Sequence, residues 1–263
     1  MDLKLEGNAA LVTASSSGLG KASAKALARE GADVLVNGRD PERLEEAVDE
    51  IGSVASGAVV GHTADITEKA EVEGLVTRTV EEFGRLDHLV TSAGGPAPFR
   101  PLEADDEEWY ATYDLLVMSV VRAVRAAAPH LRADGGGTIV TITSRTVKEA
   151  SPGNVLSSSV RMGVIGLEKT LSKELAPAVR ANAVLPGSHE TPRIEQLIEY
   201  AVERGEIESY EAGLEDRTED VPVGRLGDPM ELGDLVAYLS SPRSGYVNGQ
   251  AVTIDGGAGS STL

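Results

Sequence analysis

The sequence predicts an α/β protein in which helices cover both faces of a doubly wound parallel sheet. Short apolar runs alternate with segments of helical period along the whole chain. This alternation is typical of β-α-β crossovers, which join parallel strands. Hydrophobic residues make up 41% of the 263 residues and aromatic residues only 3%. The core is therefore expected to consist of Val, Leu, Ile and Ala, as in buried parallel strands.

Seven strands and the helices between them are predicted in order. The strands are expected at residues 9–13, 33–37, 58–60, 86–91, 137–143, 179–185 and 251–254. The helices are expected at residues 21–30, 41–51, 68–83, 106–131 (as one helix or two) and 156–175. Thr67 is expected to cap the third helix, with Glu71 near the capping-box position. The expected fold is a Rossmann-type doubly wound parallel seven-stranded sheet in three α/β/α layers.

One acidic segment departs from the alternation of strands and helices. Residues 188–221 have helical propensity but no strand, and they follow the sixth strand. Ligands of open α/β sheets bind beyond the carboxyl ends of the strands, so this segment is expected to be a lid over the substrate. No repeat, linker or low-complexity tract divides the chain. Residues 1–263 are therefore expected to form a single domain.

The composition excludes several classes of function. The absence of cysteine rules out disulfides, thiolate metal sites and a cysteine nucleophile. Without an apolar run of about 18 residues or a basic-then-apolar start, a cytoplasmic protein with no membrane partner is expected. A formal net charge of −18 repels nucleic acid. The histidines lack metal-ligand spacing, so no metal site is expected.

A turn rich in serine and glycine joins the first strand to the first helix. It consists of Thr13, Ala14, Ser15, Ser16, Ser17, Gly18, Leu19 and Gly20. Glycines lack a Cβ, so backbone N–H groups can approach a pyrophosphate at the positive N-terminus of the helix. The placement between strand and helix therefore predicts a dinucleotide-binding domain.

Further motifs follow this turn. They are Asp65, Ser92-Ala93-Gly94, residues 137–144, Pro186-Gly187, residues 223–229, residues 247–250 and Asp255-Gly256-Gly257. In this order they resemble the short-chain dehydrogenase/reductase family, nearest to its 3-oxoacyl-(acyl carrier protein) reductases. The resemblance implies an oxidoreductase with a small-molecule substrate. It also implies further cofactor contacts from Asp65, Ile66, Ser92, Ala93, Gly94, Arg161, Pro186, Gly187 and Thr191.

The turn departs from the family pattern at Ala14, where the family has a glycine. That position shapes the turn. A methyl group is tolerated there if φ stays negative.

The end of the second strand favours NADP(H) over NAD(H). Sites selective for NAD carry an Asp or Glu there, which accepts hydrogen bonds from the ribose 2′-hydroxyl. Here the strand ends in Asn37, Gly38 and Arg39. The planar guanidinium of Arg39 suits a 2′-phosphate. Ser15 and Ser16 are expected to add hydroxyl donors.

The catalytic positions differ from those that the resemblance implies. The family's serine is kept as Ser144. Its tyrosine, the general acid and base, aligns with Ser157, and its lysine, four residues later, aligns with Arg161. The helical asparagine of the family aligns with Leu116. A serine hydroxyl is a much weaker acid than a phenol, and arginine does not release its proton near neutral pH.

Three explanations remain open for these replacements. The protein is a carbonyl reductase that uses Ser144, Arg161 and another proton source, with His189 preferred over Glu190 and Lys148. Alternatively, Arg161 mainly recognises an anionic or acyl-thioester substrate. In the third explanation the chain is an inactive NADP(H)-binding sensor or a subunit of a hetero-oligomer. The helix that carries Ser157 and Arg161 aligns with the family's subunit-packing helix, which implies a homo-oligomer, either a tetramer or a dimer.

The charge balance predicts adaptation to high salt, as in halophilic proteins. The chain has 42 acidic residues, and only seven of its 24 basic residues are lysine. Self-repulsion of such a chain is screened within about 3 Å at roughly 1 M salt. The melting temperature is therefore expected to rise with KCl, as measured by circular dichroism. A melting temperature that stays constant from low to molar KCl would contradict this expectation.

Overall fold

The computed structural model describes residues 1–133 and 135–262, in which seven strands form one parallel sheet of order β3-β2-β1-β4-β5-β6-β7. The strands are β1 (Ala9–Val12), β2 (Asp33–Gly38), β3 (Val59–Thr63), β4 (His88–Thr91), β5 (Gly137–Ile142), β6 (Val179–Pro186) and β7 (Ala251–Ile254). All six strand pairings are parallel. The predicted doubly wound sheet of seven strands is confirmed.

Nine α-helices accompany these strands in the described residues. They are α1 (Gly18–Arg29), α2 (Pro41–Gly52), α3 (Lys69–Phe83), α4 (Asp106–Tyr113), α5 (Ser119–Leu131), α6 (Val155–Glu174), α7 (Pro192–Glu203), α8 (Tyr210–Glu219) and α9 (Pro229–Ser240). A π-helical turn, Asp114–Met118, separates α4 from α5. The segment predicted as one helix or two is therefore two helices joined by a π turn. None of the described helices is both long and apolar enough to cross a membrane.

Strand residues alternate between two hydrophobic layers. In β1, Ala10 and Val12 pack in a core cluster with Leu27 of α1. The intervening Leu11 packs in a second cluster with Leu75 of α3. Because successive side chains of a strand point to opposite faces, this division shows helices on both sides of the sheet. The three-layer arrangement is confirmed.

Helix α9 was not anticipated from the sequence. Asp228 and Glu231 form a capping box at its start, and Pro229 occupies its first turn. The helix packs closely against α1, because a Cβ added to Gly233 would lie 2.5 Å from the backbone oxygen of Ala22. These capping residues were a readable helix-start signal.

The start of α3 also differs from the prediction. Its N-cap is Glu68 rather than Thr67. The Thr67 hydroxyl instead donates to Asp65 Oδ1 at 2.8 Å, and Glu71 accepts from the Asp65 backbone N–H at 2.5 Å. The predicted Thr67 cap is therefore wrong, because Asp65 takes both the hydroxyl and the backbone N–H of Thr67.

Strand β1 is the point where the chain reverses its winding direction. It pairs with β2 on one side and with β4 on the other. Sheets of this kind hold ligands in the crevice at the carboxyl end of that strand. The β1–α1 turn and the segment after β4 therefore both border this crevice.

Candidate functional site

The turn between β1 and α1 is fixed by Asn37, a buried residue of β2. The Asn37 side-chain oxygen accepts from the Ala14 N–H at 3.0 Å, and its backbone oxygen accepts from the Ser15 N–H at 2.7 Å. The Asn37 side-chain NH₂ donates to Ala64 O at 3.0 Å, beyond β3. One asparagine thus joins the ends of three strands. This role was not predicted from the sequence, although a polar residue in an apolar strand was the signal.

Ser15 belongs to the same hydrogen-bond set and is not the hydroxyl donor that was predicted. Its side chain is fully buried. The hydroxyl donates to Val12 O at 2.6 Å and accepts from the Asn37 N–H at 2.9 Å. Because the hydroxyl already donates its one proton to a backbone oxygen, the expectation that it donates to a 2′-phosphate is wrong. Only the backbone of Ser15 remains a candidate for cofactor contact.

Thr13 joins the turn to the segment after β4. Its hydroxyl donates to Ser92 O at 2.8 Å and accepts from the Ser92 N–H at 2.9 Å. Next in the chain, the half-buried Ala93 packs beside Leu116 and Val160. Thr13 and Ser92 therefore fix the two sides of the crevice relative to each other.

Ala14 adopts the left-handed conformation, with φ of +44°. The condition of a negative φ, under which a methyl group is tolerated at this position, is therefore not met. The turn brings the Ala14 carbonyl against Gly20. A Cβ added to Gly20 would lie 2.4 Å from Ala14 O. The left-handed region costs a non-glycine residue about 1–2 kcal/mol. The turn is therefore strained at Ala14 and has no room for a side chain at Gly20.

The N-terminus of α1 suits a phosphate group. Ser17 is its N-cap, in extended conformation, with no side-chain capping hydrogen bond and no acidic residue in the first turn. Gly18 has a φ of +55° and faces Thr191, whose side-chain carbons would lie 3.8 Å from an added Cβ. Free N–H groups at a positive helix end attract anions. These residues fit the diphosphate of a dinucleotide.

The end of β2 carries the groups predicted to select the cofactor. A Cβ added to Gly38 would lie 2.7 Å from the Ser16 hydroxyl oxygen, so Ser16 covers this glycine. The Arg39 side chain is 77% exposed and lies 3.7 Å from Asp65 Oδ2. Partial burial acts to raise the pKa of Asp65, but the hydrogen bonds from Thr67 and the charge of Arg39 lower it below its usual range. The neighbouring Ile66 is buried in the core.

Ser144, Ser157 and Arg161 lie at the carboxyl end of β5 and on the first turns of α6. The Ser144 hydroxyl accepts from the Thr146 N–H at 3.2 Å and from the Thr146 hydroxyl at 3.0 Å. Because it accepts both bonds, its own proton is free to be donated. The Ser157 hydroxyl accepts from Arg161 Nε at 3.2 Å. Leu116, which aligns with the family's asparagine, lies in the π-helical turn and is buried. This position therefore has no polar side chain.

Arg161 is only 7% exposed. Besides Ser157 it contacts Gly94, whose carbonyl accepts from Nη2 at 3.5 Å. Burial, and then the charge of Arg193, lower the pKa of Arg161 to about 10. The guanidinium therefore remains charged at neutral pH.

His189 lies beyond Pro186 and Gly187 and is buried. Its Nδ1 donates to Gly187 O at 3.2 Å, and a Cβ added to Gly227 would lie 2.7 Å from its Nε2. Burial lowers the pKa of the ring, against the hydrogen bond to Gly187 and the charges of Glu231 and Asp228. The ring is therefore neutral at pH 7, and its proton faces Gly187.

A buried acid, Glu168, was not anticipated. Its Oε1 accepts from the Thr141 hydroxyl at 2.5 Å, and the Thr91 hydroxyl donates to Thr141 at 2.8 Å. Glu168 Oε2 has no hydrogen-bond partner in the described part of the chain. Burial raises the pKa of Glu168 to about 8, although the bond from Thr141 acts to lower it. A neutral carboxylic acid therefore lies between α6 and strands β4 and β5 at neutral pH.

Comparison with known families and sequences gives consistent results. A family model described as enoyl-(acyl carrier protein) reductase matches residues 13–259. A 3-oxoacyl-(acyl carrier protein) reductase of Thermotoga maritima is 32% identical over 97% of this chain and 99% of its own length. A (2S)-[(R)-hydroxy(phenyl)methyl]succinyl-CoA dehydrogenase subunit of Thauera aromatica is 32% identical over 96% of this chain and 97% of its own.

Solved structures show the same fold. The L-sorbose reductase of Gluconobacter frateurii, in complex with NADPH and L-sorbose, superposes with a TM-score of 0.93 at 30% identity, covering 99% of this chain and 100% of its own. A variant actinorhodin polyketide ketoreductase with NADPH gives a TM-score of 0.90 at 33% identity, covering 97% of this chain and 98% of its own.

The Glu168→Gln variant is expected to change how stability depends on pH. In the wild type, the unfolded carboxyl loses its proton near 4.5 and the folded one near 8. The stabilisation of the folded state by this buried, protonated carboxyl is therefore fully present below pH 4.5 and is lost as the pH rises through 8. Glutamine resembles the protonated acid and does not titrate. The variant is expected to be more stable than the wild type at pH 8, by roughly a few kcal/mol.

Denaturant unfolding of both proteins at several pH values measures this difference. The exposed Glu174 of the same helix provides the control variant Glu174→Gln. Equal pH profiles for the wild type and Glu168→Gln would show that Glu168 is ionised in the folded protein.

Proposed function

Because the chain belongs to the short-chain dehydrogenase/reductase family, we propose that it is an NADP(H)-dependent oxidoreductase that interconverts a carbonyl and an alcohol. The substrate is a small molecule of the 3-oxoacyl type. The observation that carries the proposal is the β1–α1 turn, where Gly20 lies against Ala14 O and leaves the start of α1 open to a diphosphate. The proposed cofactor contacts are those of the sequence analysis, except for the Ser15 hydroxyl.

The end of β2 supports NADP(H) as the cofactor. It carries no carboxylate that would accept from a ribose 2′-hydroxyl, and Ser16 and Arg39 flank Gly38. Arg39 has only a distant contact with Asp65, so its guanidinium remains available for a 2′-phosphate. The two similar solved structures that contain NADPH add support for this choice.

A bound nicotinamide cofactor would supply or accept the hydride. In the reducing direction the carbonyl carbon gains that hydride, and the carbonyl oxygen gains a proton as the C=O π bond breaks. Ser144 has a free hydroxyl proton to donate to this oxygen. Arg161 places a permanent positive charge where negative charge develops on the oxygen. Ser157 holds the Arg161 side chain in place through Nε.

The proton that Ser144 donates must be replaced after each turnover. His189 presents its Nδ1 proton to Gly187 and packs on Gly227, so proton donation from this ring requires it to move. Ser144 therefore passes on a proton that water in the crevice replaces. His189 stays a candidate donor only if the ring turns when the substrate binds.

A second candidate function is an NADP(H)-binding protein without catalysis, as a sensor or a subunit of a hetero-oligomer. The replacement of tyrosine and lysine by Ser157 and Arg161 favours it. Loss of a positioned general acid costs about 10²–10⁴ in rate. The relative from Thauera aromatica is named as a dehydrogenase subunit, which supports only the part of this alternative in which the chain is a subunit of a hetero-oligomer.

Residues 188–221 form the proposed substrate lid. They contain α7 and α8, which pack together where a Cβ added to Gly213 would lie 2.6 Å from Ile198. A cavity of about 440 Å³ lies between these helices and the segments before α4 and α6. It is lined in part by Phe99, Asn154, Leu197, Tyr200 and Arg217. This cavity is the proposed site for the part of the substrate that does not react.

We also propose that the protein is a homo-oligomer, a dimer or a tetramer. Tyr110, Tyr113 and Met162 expose large apolar side chains on α4 and α6. Helix α6 also carries Ser157 and Arg161, so an oligomer would stabilise the helix that holds the proposed catalytic groups.

Oxidation of NADPH by a panel of 3-oxoacyl thioesters, oxo acids, sugars and small ketones tests the proposed function. We expect turnover that Arg161→Ala abolishes. Ser144→Ala is expected to reduce it roughly 10²–10³-fold, as for loss of one donor to a developing oxyanion.

Ser53→Ala, at an exposed serine after α2, is the matched control and is expected to leave turnover unchanged. Tight NADPH binding without turnover of any substrate would contradict the enzyme and favour the binding protein.

A further inference from the structure

Two arginines from different helices converge on the segment that follows β4. Arg161 of α6 donates through Nη2 to Gly94 O at 3.5 Å. Arg193 of α7 donates through Nη2 to Pro96 O at 2.5 Å, and a Cβ added to Gly95 would lie 3.3 Å from its Nε. The two guanidinium groups therefore contact residues two positions apart, at the carboxyl end of the sheet.

Neither guanidinium has an anionic partner among the described residues. Arg161 bonds to a hydroxyl and a carbonyl, and Arg193 bonds to a carbonyl. Burial lowers the pKa of Arg193, and burial with the charge of Arg193 lowers that of Arg161; no carboxylate opposes either effect. Arg161 is buried and Arg193 is half-buried. Buried charges normally have a counter-charge, so two close cations without one indicate a missing anion.

The rest of the chain makes this arrangement unusual. With a net charge of −18, the protein surface repels anions. Several other arginines lie close to carboxylates, for example Arg122 to Asp114 at 2.7 Å and Arg225 to Glu231 at 2.7 Å. Arg180 also lacks a carboxylate partner, but its guanidinium donates to three backbone carbonyls away from this segment. Arg161 and Arg193 bring two such charges together beside the proposed reacting centre.

We propose that Arg161 and Arg193 together bind a carboxylate of the substrate next to its reacting carbonyl, so that the preferred substrates are oxo acids rather than neutral ketones or sugars. This assignment rests on the proposed oxidoreductase function. Guanidinium groups form paired, charge-assisted hydrogen bonds with carboxylates.

The position of Arg193 favours the substrate over the cofactor as the source of this anion. The cofactor's diphosphate has its own site at the start of α1, where Gly18 faces Thr191. Arg193 is the second residue of α7, in the proposed lid, and its side chain reaches across to Pro96 rather than to the β1–α1 turn. Closing of the lid on a substrate would then bring the Arg193 guanidinium to the substrate carboxylate that is already bound by Arg161.

Matched pairs of substrates test this inference. Short 3-oxo acids and their methyl esters are compared as NADPH-dependent substrates of the wild type, Arg193→Gln and the control Arg132→Gln, at one fixed salt concentration. Arg132 is exposed, and its substitution removes the same charge. The wild-type ratio of kcat/KM for acid over ester is expected to be roughly 10–100, the value of a charge-assisted hydrogen bond. The ratio is expected to fall towards one in Arg193→Gln and to stay high in Arg132→Gln.

Equal use of acids and esters by the wild type would overturn the inference and leave the oxidoreductase standing. A loss of NADPH affinity in Arg193→Gln, with an unchanged ratio, would assign the arginine to a cofactor phosphate instead. If Arg193→Gln does not fold, Arg193→Lys keeps the charge without the paired donors and is expected to lower the ratio in part.

Calorimetry separates this inference from the proposed function. Butyrate and butyramide, neither of which can be reduced at a ketone, are titrated into the protein with and without NADP⁺. Binding of butyrate but not butyramide, lost in Arg193→Gln, would support the carboxylate site even if no turnover is found. Failure of both compounds to bind, with NADPH bound normally, would contradict it.

Discussion

The side-chain amide of Asn37 is bonded to the turn after β1 and to the segment after β3, and the shape of that turn depends on these bonds. Each contributes about 1 kcal/mol. Together they offset the cost of the left-handed conformation at Ala14, which in turn brings the Ala14 carbonyl against Gly20. The open N-terminus of α1 is thus a consequence of a buried polar residue in the neighbouring strand.

The opposite side of the crevice follows a different constraint. Arg161, which aligns with the family's lysine, cannot exchange a proton near neutral pH. It keeps its charge in a buried position, where a lysine would readily lose its charge. Arg161 Nε donates to the hydroxyl of Ser157, which aligns with the family's tyrosine. In the proposed mechanism the two replacements act as a pair. They would exchange the family's proton route for a fixed positive charge, which suits the proposed substrate with its own negative charge.

Much of this arrangement is readable in the sequence, because apolar alternation and turn residues report the strands and the β1–α1 turn. Helix α9 was missed although Asp228, Pro229 and Glu231 signal its start. The φ of Ala14 and the partners of Ser15 depend on where β2 places Asn37, which no local pattern contains. The convergence of Arg161 and Arg193 depends on how the successive helices α6 and α7 are placed around β6, so only the folded chain shows it.

Calorimetric titration of NADPH and NADH into the wild type, Gly20→Ala and Arg39→Ala, in concentrated salt, tests the dinucleotide site most directly. The account predicts tighter binding of NADPH than NADH, a preference reduced in Arg39→Ala, and loss of both cofactors in Gly20→Ala, because a Cβ there meets the Ala14 carbonyl. Undiminished binding to Gly20→Ala, or no binding of either cofactor to the wild type at millimolar concentration, would contradict it.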